Sequence, residues 1–191
     1  MRHFGILTIL GLPALLAGGC GATVYPPAHP AHPIAVYVAD YGHHSSVTLP
    51  LGNTAFVEYS FGDWNYMVTN HTAPCDAIQA LFFSTSAAFG RRYTFHAIDS
   101  TEPTFFGTPK VFTFEVPADC VERVVGDLEF RWQRKIATQF HNSDDDTDFV
   151  VDDRRYSWAN DCNEMTASIL RDLGCKVEGF TYFSAFQLAH E

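Results

Sequence analysis

Asn160-Asp161-Cys162-Asn163-Glu164-Met165-Thr166-Ala167-Ser168-Ile169-Leu170-Arg171-Asp172-Leu173-Gly174 sets a cysteine in the first turn of an amphipathic helix. Met165, Ile169, Leu170 and Leu173 recur at helical spacing and predict one buried face. Asn160 or Asp161 suits the cap, where a side-chain oxygen accepts a free N–H of the first turn. Glu164 suits the positive end of the helix dipole, and Gly174 suits the left-handed residue that closes a helix. A thiol at this end sits among unpaired N–H groups that favour the thiolate, the nucleophilic form. Asp161 works against them, because a neighbouring carboxylate disfavours a second negative charge. Two roles stay open for Cys162: a nucleophile that needs a histidine base from elsewhere in the fold, or a buried apolar residue or half of a disulfide with Cys175.

Upstream of this helix the pattern changes from helical to alternating. Ile34, Val36 and Val38 alternate with Ala35, Tyr37 and Ala39, and alternation resumes from His44 to Leu49, so a hairpin turning at Gly42 is expected. Phe56 to Phe61 and Trp64 to Val68 predict a second strand pair around Gly62 and Asp63. Cys75 to Phe89 reads as a helix ending near Gly90, and Arg92 to Ile98 and Val111 to Val116 read as strands. Pro117 opens a helix over 118–132 with Val121, Val124, Val125, Leu128 and Trp132 on one face. Residues 142–153 read as an acidic loop. Started at Asp144, they fail the calcium-loop pattern, with Phe149 where glycine is needed and Arg155 where the final glutamate belongs. A solvated, self-repelling loop is the expectation there. An aromatic tail, 180–188, follows the cysteine helix. The whole predicts an α+β fold, an antiparallel sheet packed by helices, in one domain over 34–191.

The 191 residues carry 12 Lys and Arg against 22 Asp and Glu, a net charge of −10, so no basic surface exists to meet a phosphate backbone and no nucleic-acid partner is expected. Residues 1–19 resemble an export signal: Arg2 and His3, then an apolar run broken by Gly11 and Pro13, too short to span a bilayer. Leu16-Ala17-Gly18-Gly19-Cys20 resembles a bacterial lipobox, which predicts lipidation of Cys20 and a membrane partner through that anchor. Gly21 does not resemble the aspartate that retains lipoproteins at the inner membrane, so a periplasm-facing outer-membrane lipoprotein is expected. The alternative is cleavage near Gly18 to Ala22 into a soluble secreted or periplasmic protein. Pro26, Pro27, Pro30 and Pro33 predict an extended tether over residues 20–33, in which His29 and His32 could form a weak metal site or simply be solvated. In an oxidising compartment Cys75, Cys120 and Cys175 could form one disulfide at most if Cys162 is a working thiol.

Gly42-His43-His44-Ser45-Ser46 places two histidines at the mouth of a strand, where alternation sends them to opposite faces. His44 continues the strand pattern and is the expected base; His43 belongs to the turn. Asp63 in Phe61-Gly62-Asp63-Trp64 could orient that imidazole, or be a plain turn residue, with His96 as a rival base.

Gly42-His43-His44-Ser45-Ser46-Val47-Thr48-Leu49-Pro50, Phe61-Gly62-Asp63 and Cys162-Asn163-Glu164-Met165-Thr166 resemble, in this order, a bacterial family catalogued as a domain of unknown function and first noted near urease gene regions. Its usual pattern is Gly-Trp-His-Thr-Asp, then Leu-Pro, then Gly-Trp-Gly-Asp, then Thr-Cys-Asn-Thr-Trp-Thr. His43 stands at the usual tryptophan, which singles out His44. A histidine strand first and a cysteine helix last is also similar to circularly permuted papain-like folds, the NlpC-type peptidases and the lecithin–retinol acyltransferase relatives. The resemblance implies a cysteine hydrolase or acyltransferase acting on an amide or ester, a cell-wall peptide or an acyl group. Cys162 would be the nucleophile, His44 the base and Asp63 the orienting carboxylate, with no cofactor. A catalytically inactive envelope module is the alternative.

Overall fold

A computed structural model describes residues 21–71, 73–101, 104, 106–182 and 184–189; the export signal expected over 1–19 and the lipidation expected at Cys20 lie outside them. The chain opens with β1 (Ala22–Tyr25), β2 (Pro33–Asp40), β3 (Ser45–Leu51) and β4 (Ala55–Asp63), then a single helical turn, α1 (Trp64–Met67), and α2 (Pro74–Phe83). β5 (Ala87–Thr94), β6 (Lys110–Pro117), α3 (Ala118–Gln133), β7 (Phe140–Asn142) and β8 (Thr147–Asp152) follow. The cysteine helix α4 (Cys162–Asp172), β9 (Lys176–Gly179) and β10 (Phe186–Leu188) complete it. The expected α+β class with an antiparallel sheet packed by helices is what the chain adopts.

Seven strands form one antiparallel sheet in the order β6-β2-β3-β4-β5-β8-β7. The β2–β3 hairpin turns as read, at Gly42 with φ 81°, and Gly42 N donates to Asp40 Oδ1 at 2.8 Å. α3 and α4 cover one face. Val47, Leu49, Val57, Tyr59, Phe61 and Phe89 point from the sheet into Val121, Val124, Leu128 and Trp132 of α3 and Met165, Ile169 and Leu170 of α4. Burial of this apolar surface, at roughly 25 cal/mol per Å², is the main term holding the layers together. The opposite face is covered in part by a second cluster of Met67, Val68, Ala88 and Phe149.

Four expectations give way. Trp64–Met67 is helical rather than a strand, because Asp63 accepts Tyr66 N at 3.1 Å and caps a turn there. The helix from Cys75 stops at Phe83, and Ala87–Phe89 instead join a strand whose side chains are buried. Residues 147–152 are an inner strand beside the edge strand β7 and not a solvated loop: Phe149 and Val150 are buried, while Asp148 meets His141 and Asp152 meets Arg131. The fourth lies at the amino end. Ala22–Tyr25, expected in a tether, pair antiparallel with β9 and parallel with β10 in a separate three-stranded sheet. Ala22 and Val24 are buried there, so the folded region begins by residue 22 and not at 34.

Candidate functional site at the start of the cysteine helix

α4 forms as its residues dictate. Asp161 caps it by accepting Glu164 N at 2.9 Å, Glu164 lies in the first turn, and Gly174 takes the left-handed conformation at φ 91°. Its apolar face buries Met165, Ile169 and Leu170 against the sheet. The helix start is then tied to the histidine strand: Ser45 Oγ donates to Asn163 Oδ1 at 2.8 Å and lies 2.9 Å from Thr166 Oγ1, all buried. Cys162 Sγ lies 3.7 Å from Asn163 Oδ1 and 4.0 Å from the carbonyl oxygen of His43.

Cys162 floors a cavity of about 230 Å³ whose walls include His43, Tyr66, Tyr156, Asn163 and Tyr182. His44 lies elsewhere. It lines a small cavity on the opposite sheet face with Tyr41, Glu58, Arg92 and Phe106, its ring 4.4 Å from that of Phe106. Both histidines precede β3, which begins at Ser45, so strand alternation does not assign them to opposite faces. The exposed His43 ring lies 6.3 Å from the same Phe106 ring that His44 packs against, and His43 meets Cys162 through its carbonyl oxygen. Asp63 spends its carboxylate on the α1 cap and lines a third cavity with Asp76 and His71, next to the first across Tyr66. Thus Cys162, His44 and Asp63, expected in one site, line three different cavities, and of the two histidines it is His43 that lines the cysteine cavity. His96, the rival base, lies on the far face with Thr48 and Thr94, in the β5–β6 connection.

The electrostatics of the sulfur run against a resting thiolate. Burial, followed by the charge of Asp161, pushes the Cys162 thiol up to about 12. Three groups favour the thiolate but are outweighed: the backbone N–H groups of Ser45 and Asn163 and the hydroxyl of Tyr156. The same enclosure raises the Asp161 carboxyl to about 6, mainly by burial. His44 is pushed down to about 3, by burial and then by the neighbouring His43, so it is neutral at physiological pH. Tyr156 was not legible as a site residue, since no spacing connects a loop tyrosine to a cysteine six positions on.

Cys75, Cys120, Cys162 and Cys175 are all free thiols, so neither a Cys162–Cys175 disulfide nor a bond among the other three is formed. Among the described residues no cluster of His, Cys, Asp and Glu is arranged to hold a metal ion. Comparison with protein-family models, with curated proteins and with solved structures returns no match for this chain.

Proposed function

We propose that the chain is an exported envelope lipoprotein, anchored through Cys20, with a cysteine hydrolase or acyltransferase site acting on an amide or ester. The observation that carries this reading is Cys162 at the first position of α4, on the floor of a cavity that His43 also lines. A histidine strand packed by a following cysteine helix supports a permuted papain-like arrangement. The resting thiol is neutral, so the proton must leave as the carbonyl is attacked. His43 takes it, the sulfur bonds to the carbonyl carbon, and the oxygen gains the negative charge. The N–H groups at the start of α4 that the Asp161 cap leaves free would stabilise that charge. The imidazolium then returns the proton to the departing amine or alcohol, leaving an acyl-cysteine for water or an acceptor to resolve. Tyr156 and Asn163 position the sulfur.

A second reading, a binding module that keeps the fold without the chemistry, is favoured by one observation: the carboxylate of Asp161 beside a deeply buried thiol. An activated ester such as p-nitrophenyl acetate separates the two, with intact mass and peptide mapping as the readout. Acetylation of Cys162 that falls at least about tenfold in His43→Ala and persists in His44→Ala is expected. Labelling no faster than that of a free peptide thiol, or equal in His43→Ala, leaves only the binding module. Cys20→Ser should move the protein from the membrane to the soluble fraction.

A further inference from the structure

The fold leaves no slack between the proposed anchor and the domain. Gly21 is seated against two loops: a methyl group on it would lie 2.3 Å from Ala185 O, and one on Gly179 would lie 2.3 Å from Gly21 O. Ala22 N donates to Ala185 O at 3.1 Å, and β1 begins there. Residue 20 is one peptide unit away, about 3.8 Å between Cα atoms. A lipid on Cys20 would therefore hold this corner of the fold at the bilayer surface.

Exposed aromatic residues occupy the same corner. Phe180, directly after Gly179, is 63% exposed, and its ring lies 6.3 Å from that of Tyr182, which is 47% exposed. Tyr182 in turn lies 5.6 Å from Trp158, 53% exposed, whose N–H donates to Leu81 O and joins the row to α2. Trp, Tyr and Phe are the side chains that prefer the headgroup layer. Two cations of this region are paired, Lys176 with Glu178 and Arg171 with Glu164, each at 2.8 Å, and the chain is acidic, so attraction to anionic lipid contributes little. Tyr182 also walls the Cys162 cavity.

We propose that Phe180, Tyr182 and Trp158 dock into the outer edge of the leaflet that carries the Cys20 lipid, turning the mouth of the Cys162 cavity toward the membrane. The proposal rests on the lipoprotein reading. The cavity then receives its substrate from the headgroup layer.

The test uses the full chain purified from membranes and reconstituted into phosphatidylcholine vesicles with dibrominated acyl chains. Intact mass reports the lipid on Cys20, and tryptophan quenching reports docking, the Trp158 share being isolated with Trp158→Phe. A lipidated chain whose Trp158 emission falls about twofold or more, without change between low and high salt, is the expected result. Phe180→Ser with Tyr182→Ser should abolish the quenching while the lipid stays attached. A lipidated chain with unquenched Trp158 overturns the docking and leaves the anchor standing; a second copy covering the patch would give that result together with a dimer in detergent. A membrane-free chain with unmodified Cys20 overturns both.

Discussion

Ser45 Oγ donates to Asn163 Oδ1 at 2.8 Å across 118 residues of sequence, and this buried bond sets the histidine strand against the cysteine helix. Ser45→Ala removes the donor and leaves a buried amide oxygen and the Thr166 hydroxyl short of a partner. A loss of about 1–3 kcal/mol is expected, measured by urea denaturation. Thiol accessibility at Cys162 should rise with it, because Asn163 Oδ1 also lies 3.7 Å from the sulfur.

Asp161→Asn keeps a good helix cap and removes a charge. The carboxyl is raised to about 6 in the fold, so the native state binds its proton more tightly than the unfolded chain. Stability from this group is present at low pH and is lost as pH rises from about 4 to about 6. The variant should therefore match wild type near pH 4 and exceed it by about 1–3 kcal/mol at pH 8. Iodoacetamide labelling of Cys162 should also speed up, about tenfold at pH 8, since the second cause of its raised pKa is gone.

His44 has the opposite sign. A buried imidazole pushed down to about 3 binds fewer protons folded than unfolded. Its contribution is complete above about pH 6.5 and drains as pH falls toward about 3, at up to about 1.4 kcal/mol per pH unit. His44→Leu should flatten the acid limb of the stability curve, whatever it does to the stability at neutral pH. An unchanged acid slope would refute the assignment.

Arg131 lies 4.3 Å over the ring of Phe89 and donates from Nε to Asp152 Oδ2 at 2.6 Å. The Asp152 side chain is only 3% exposed. Arg131→Ala would leave that carboxylate with only the Arg154 N–H, at 2.7 Å, as its hydrogen-bond donor, at a cost of about 1–3 kcal/mol. Pairing it with Asp152→Ala should recover part of the loss, and thermal denaturation of the two singles and the double measures the coupling.

How much could be read in advance follows from where each signal resides. α4 and α3 announce themselves because apolar spacing, caps and closing glycine agree, and the β2–β3 hairpin because alternation meets a turn glycine. Trp64–Met67 misleads, since its aromatic, β-favouring residues yield to a cap from Asp63 that only the turn geometry reveals. β8 hides among aspartates, of which Asp152 is met by Arg131 from α3 and Asp148 by His141 on the adjoining β7. At the site, Cys162 was legible from helix position, whereas His43 and His44 lie in the turn before β3, where alternation assigns no face. Tyr156 acts from a loop, where periodicity carries no information.

The small sheet that joins Ala22 to both Gly179 and Phe186 ties the two chain ends together. Its contacts close a loop of nearly the whole chain, the slowest kind of contact to make. Nothing in β1 can pair until β9 and β10 exist, so this sheet closes only after the large sheet's strands have been made. Removing residues 22–25 should unfasten β9 and β10 from each other, whereas a protease that nicks Phe186–Leu188 should leave residues 22–25 held by β9 alone.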